Sequence, residues 1–188
     1  MNEDLTANYV LTADIDLAGV EWTPIGTFVP SGESEEELEI PDPDYAFTGT
    51  FDGGGYAIYN LVIDQPEAYA LGLFGCIANT SIGNFTLENA AVDGMTMAAD
   101  VVGYAFCSVV SDVYLWNGAV TAHAGELSEE GMYGGIVGAG MGSLLMDCGA
   151  EANIVLTDGL ANAGIVGGGL ELTSVIGCVA SRSITAGD

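Results

Sequence analysis

Lysine is missing from this 188-residue chain, and Arg182 and His123 are its only basic side chains. Against them stand 27 aspartates and glutamates, for a formal net charge of −26. Nucleic acid is a poor partner for such a chain, because binding to it comes mainly from cations that displace phosphate counterions. An anionic membrane surface is excluded on the same ground. Divalent cations, basic partners and neutral glycans stay open. Long hydrophobic runs are missing too: no stretch approaches the roughly 20 residues of a membrane span. The opening MNEDLTANYV has neither basic residues nor an apolar stretch, so no signal peptide is read there. Metal-type cysteine spacing is also lacking, since Cys76, Cys107, Cys148 and Cys178 form no CxxC pair. Proline is scarce, with 5 residues, and no segment holds a helical period for long.

Glycine and apolar residues fill the space. There are 28 glycines, and 49% of the chain is hydrophobic, enough for a sizeable core. Glycine at that level argues against long helices, where each costs about 1 kcal/mol relative to alanine. With only 15% charged residues the chain is not a disordered acidic tail.

A short phrase recurs: GLFG at 72–75, DVVG at 100–103, GIVG at 135–138 and GIVG at 164–167, with Asp100 in a glycine's place. The closing glycines Gly75, Gly103, Gly138 and Gly167 lie 28, 35 and 29 residues apart. A second column of Asn84, Asp112, Cys148 and Cys178 is spaced by 28, 36 and 30. Two landmarks that drift together mark a structural repeat. Within each unit, alternating triplets such as Phe85–Leu87 and Val113–Leu115 are broken by turn residues, which is a strand signal. A unit of this size holding three short strands is one coil of a parallel β-helix, and stacking the next coil satisfies its open edges. Glycines are expected at the corners, where positive φ and tight turning suit them. Counting two decorated N-terminal segments, 8–26 and 46–63, gives about six coils in a single all-β domain spanning 1–188. Segments 31–44 and 125–131 read as an acidic and a polar inserted loop.

The residues carrying these patterns resemble the GLUG-repeat proteins of bacterial surface and secreted proteins. The lead-in Leu11 to Leu17 with Trp22 to Gly26, the block Phe47 to Ile63, and the four glycine phrases all match, over about residues 8–187. Asp100 and Tyr56 depart from the family pattern. The resemblance implies a right-handed parallel β-helix (a solenoid) in an adhesin-like or protease-associated protein, at the cell surface or outside the cell, as part of a larger exported protein. It implies no shared reaction.

Candidate sites are few. The acidic loop offers Glu33, Glu35, Glu36, Asp42 and Asp44 as oxygen ligands for calcium, the one cofactor candidate, although it lacks the pattern of the twelve-residue calcium loop. The plainer reading is a solvated loop. Asp14, Asp16 and Asp52 could serve a glycosidase as paired carboxylates, or could cap their own turns. GAGMGS at 138–143 reads as corner glycines and not as a phosphate loop, because no lysine exists. Cys148 and Cys178 should stack one coil apart as reduced thiols. His123 has no second ligand nearby, and no nucleophile turn marks a Ser–His–Asp triad. Exposed members among Trp22, Tyr45, Tyr56, Tyr59, Tyr69, Tyr104, Trp116 and Tyr133 could form a sugar-stacking strip, although core packing is their commoner use. The sequence thus points to a non-catalytic structural or adhesive module that shows loops and sheet faces to a protein or glycan partner. The alternatives are a fibre former stacking end to end through its open coils, and a glycosidase.

Overall fold

The computed structural model of the chain describes residues 1–29, 31, 40–123, 131–157 and 161–186. Every strand pair in it is parallel, and no helix occurs among the described residues. The chain is a β-solenoid. One turn runs through Phe74–Ala78, Ser81–Glu88 and Ala91–Ala99, and the next through Val102–Phe106, Val109–Ala122 and Gly131–Gly134. A third holds Val137–Met141, Leu144–Met146, Gly149–Leu156 and Ala161–Gly164, and the last holds Gly167–Glu171, Ser174–Ile176, Val179–Ser181 and Ile184–Ala186. Phe74, Val102, Val137 and Gly167 fall in register up one face.

About four turns close, not the six expected. The N-terminal segments supply fragments in place of full coils. Tyr9–Val10 and Ile15–Asp16 are two-residue strands against Phe51–Asp52 and Ala57–Tyr59. Ile25 and Phe47 each make a single parallel bridge, to Phe74 and Ile77. The first residues act as a lid on this end. Leu5 O accepts the N–H groups of Thr48 and Gly49, each at 2.9 Å. The Tyr9 ring packs on Phe47 at 6.3 Å.

Alternation builds the core. Val113 and Leu115 turn inward and are buried, while Tyr114 and Trp116 between and beyond them turn out. Phe47, Phe51, Phe74 and Phe85 form a chain of ring contacts, each 5.4 Å between centroids, at the N-terminal end. Beyond them Val102, Ile136, Val137, Leu145 and Ile154 continue the column as aliphatics.

The glycine phrase has a different cause from the one expected. A Cβ on Gly103 would lie 2.4 Å from Ala70 C and 2.7 Å from Gly75 O, and one on Gly138 would lie 2.6 Å from Met97 C. These glycines let two backbones touch where one strand hands over to the next. Gly138 and Gly140 lie within a strand, so of the GAGMGS glycines only Gly142 sits at a positive-φ corner. Asn and Asp are the commonest residues at such corners: Asn60, Asn79, Asn84, Asn89, Asp112, Asn117 and Asp147 all have φ between 52° and 60°. Asn and Asp tolerate this left-handed conformation better than most side chains, and three of them bond across turns: Asn60 Nδ2 donates to Asp16 Oδ1, Asn84 Nδ2 to Asp52 Oδ1 and Asn117 Nδ2 to Asn89 Oδ1. Two columns also slip by one residue. Gly167 lies opposite Val137, so Gly168 follows in line with Gly138. Strands pairing Ser111 with Met146 and Tyr114 with Gly149 bring Asp112 level with Asp147, and Val113 level with Cys148.

A hydroxyl column runs up another corner. The Thr80 N–H donates to Ser108 Oγ at 3.3 Å, the Ser108 N–H to Ser143 Oγ at 3.1 Å, and the Ser143 N–H to Thr173 Oγ1 at 3.2 Å. Ser108 Oγ then donates to Phe106 O at 2.7 Å and Thr173 Oγ1 to Glu171 O at 2.9 Å. Each hydroxyl so meets a backbone group that the turn leaves without a ladder partner.

Candidate functional site

The outer face of the strand Val109–Ala122 carries an aromatic groove. Tyr114 and Trp116 are 43% and 51% exposed, side by side on the outward row. Gly149 stands opposite Tyr114, and a Cβ there would lie 2.8 Å from the Tyr114 ring, so the ring lies down over the glycine. Val179 is the next residue in that row. The result is a groove of about 200 Å³ lined by Tyr114, Trp116, Gly149, Glu151, Val179 and Ser181 among others. Trp116 lies opposite Glu88 on the preceding turn, and Glu88 lies opposite Tyr59. At the groove's other side Arg182 Nη2 donates to Glu151 Oε1.

Of the other aromatic candidates, Tyr45, Tyr56 and Tyr69 are exposed, and Trp22, Tyr104 and Tyr133 serve packing. The Trp22 indole N–H donates to Leu73 O at 3.2 Å. Tyr104 and Tyr133 are buried, and Tyr104 meets Phe28 edge-on at 4.9 Å. Sequence reasoning named Trp116 for a surface strip and missed Tyr114, which the same two-residue alternation places beside it.

The aspartates proposed for glycoside chemistry hold turns and neighbouring coils. Asp14 Oδ1 accepts the Ala57 N–H at 2.9 Å. Asp16 Oδ1 accepts from Ala18 N at 3.0 Å and Asn60 Nδ2 at 2.8 Å, and Asp52 Oδ1 from Gly54 N at 2.8 Å and Asn84 Nδ2 at 2.9 Å. These bonds, led by the Asn60 side chain for Asp16 and the Gly54 N–H for Asp52, hold both carboxyls below the ordinary range. A general acid needs the opposite shift.

Of the calcium candidates, Glu33, Glu35 and Glu36 lie outside the described residues. Asp42 Oδ1 accepts the Asp44 N–H at 3.0 Å and so caps its own turn. Among the described residues no group of three His, Cys, Asp or Glu is placed to hold a metal.

His123 is not alone. Its Nε2 lies 2.7 Å from Asp93 Oδ1, and its Nδ1 lies 3.3 Å from Thr157 Oγ1. The line of carboxylate, imidazole and hydroxyl spans three turns. Yet the Thr157 hydroxyl donates to Ala122 O at 2.7 Å, so its proton points away from the ring that would have to take it. The pattern ties turns together and does not prime a nucleophile.

Cys148 and Cys178 stand in register one turn apart, as expected, and all four cysteines are free thiols. Burial pushes the Cys76 and Cys148 thiols up to about 12. Asp100 is the most unusual group. It is wholly buried, and neither carboxyl oxygen has a hydrogen-bond partner among the described residues. The Ala119 N–H beside it donates to Ala90 O at 2.9 Å. Burial pushes the Asp100 carboxyl well above the ordinary carboxylate range.

With this geometry in hand, the likenesses are as follows. The chain is 33% identical over 158 residues to halomucin of Haloquadratum walsbyi, a match that covers 82% of this chain and 2% of halomucin. The chain thus spans a small fraction of the length of the curated relative it matches. A crystal structure from Bacteroides ovatus, a protein with the provisional name immunoglobulin A1 protease, aligns with 96% of this chain and 70% of that one, at 15% identity and a TM-score of 0.34. No family model matches the chain, so the GLUG-repeat likeness stands as a resemblance.

Proposed function

We propose that this chain is a structural and adhesive module of a cell-surface or secreted protein, a rigid stack that presents side-chain rows to a partner. One observation carries the reading. The interior is a continuous apolar column from Leu17 to Ile154, while the carboxylates named for catalysis are bound into turns. The likeness to halomucin supports placing the chain at the cell surface or outside the cell. The charge of −26 fits the same role, since like charge keeps exposed strand rows from pairing with one another.

End-to-end assembly is a second reading with its own observation. The last turn leaves Leu172, Val175, Ile176, Val179 and Ile184 exposed. Residues 161–186 hold one acid, Glu171, and one base, Arg182, so repulsion is least there. A further coil or a second copy would cover that face.

Beads coated with the purified chain test the first reading. Retention on protein- or glycan-coated surfaces, with no product released from a panel of glycans, is the expected result. Soluble sugar released by the chain and lost in Asp52→Asn would overturn it in favour of a glycosidase.

A further inference from the structure

We propose that the groove beside Trp116 receives a basic side chain, arginine or lysine, of a partner protein. This rests on the adhesive reading above and names the chemistry of its partner. The exposed indole of Trp116 is a cation-binding surface, and tryptophan is the best of the aromatic side chains for it. Glu88 lies opposite it on the preceding turn, and Glu151 across the groove is paired with Arg182. Glu88 has no ion-pair partner among the described residues. Tyr114, laid flat over Gly149, supplies a second ring and keeps the floor open.

Charge selects the occupant. A chain of net charge −26 draws cations toward every cleft and repels anionic ligands. Arg182 already pairs with Glu151 at the groove's edge, so Glu88 is the carboxylate left to meet an incoming cation. A neutral sugar would gain the ring stacking but nothing from the charge of Glu88 or from the field.

The test must separate this groove from general attraction to an acidic protein. A dye-labelled tri-arginine peptide is titrated into the full chain and followed by anisotropy, with variants checked by circular dichroism. Trp116→Ala leaves the charge unchanged and is expected to weaken binding by about two- to thirty-fold, the range of a cation–π contact. Trp116→Phe should recover part of the loss. Glu88→Gln should weaken binding more than Glu3→Gln, which removes the same charge from an exposed residue of the N-terminal segment. Equal affinity in Trp116→Ala overturns the proposal, because the peptide then follows bulk charge alone. Absence of peptide binding overturns it too, as does a neutral oligosaccharide that binds at Trp116 and displaces the peptide. If any of these occurs while chain-coated beads still adhere, the groove assignment fails and the adhesive reading stands. Beads that hold no surface count against the adhesive reading itself.

Discussion

Asp100 fits against Gly118: a Cβ placed on Gly118 would lie 2.3 Å from Asp100 Oδ2. The aspartate replaces a phrase glycine, and a glycine on the facing strand makes room for it. Gly118 sits where the pairing of Val109–Ala122 with Gly149–Leu156 shifts register. Gly118→Ala should therefore destabilise by about 1–3 kcal/mol through overpacking. Asp100→Gly in the same chain should recover much of that loss, since residues in contact do not add independently. Urea unfolding of the two single variants and the double variant measures the coupling.

The same aspartate sets a pH dependence. Its folded pKa is raised above the ordinary 3.8, so the folded state holds the proton longer than the unfolded chain does. Its contribution to stability is fully present below about pH 3.8 and is lost as pH rises toward the folded value. Asp16 and Asp52 have the opposite sign: lowered, they stabilise above 3.8, and that is lost as pH falls through their folded values. Thermal melts from about pH 4 to pH 8 should show the wild type losing ground to Asp100→Asn as pH rises. Parallel curves for the two proteins would refute the assignment.

Ser143→Ala tests the hydroxyl column. It leaves the Ser108 N–H without its acceptor, and a buried unmet donor costs about 1–3 kcal/mol. Ser143→Thr keeps the hydroxyl and should cost less, as Thr80 and Thr173 hold the equivalent places. Chemical denaturation midpoints give the comparison.

Thiol labelling should separate the cysteines. Cys107 is exposed and should react first, while Cys76 and Cys148, buried and with raised pKa, should react only as the chain unfolds. Mass spectrometry of a labelling time course reads the order, and early labelling of Cys76 would contradict the packing.

Much of the fold was legible because stacking forces equal spacing on every landmark. The paired turns, the register of Cys148 with Cys178 and the turn roles of Asp16 and Asp52 all follow from residues in sequence. The slips at Gly167 and Asp112 did not show, since Gly168 follows Gly167 and Asp147 precedes Cys148, so each column offers a fitting residue one place away. The full coil count was overestimated because strand-like residues at 9–16 pair only in twos. Thr80, Ser108, Ser143 and Thr173 recur at 28, 35 and 30 residues, so the hydroxyl column was present as a signal and went unread. Tyr114 and its groove depend on a glycine in the next turn, a relation no single strand displays.

The break between Gly26 and Ala46 has a practical meaning. Ile25 and Phe47 stay docked on Phe74 and Ile77, and between them the Thr27 N–H donates to Tyr45 O at 2.8 Å. Both anchor points pair with the one strand Phe74–Ala78, so a change in the joining peptide beyond the Thr27–Tyr45 bond and the packed Phe28 and Ala46 need not re-register the stack. That makes the junction a natural place to graft a foreign epitope or a reporter.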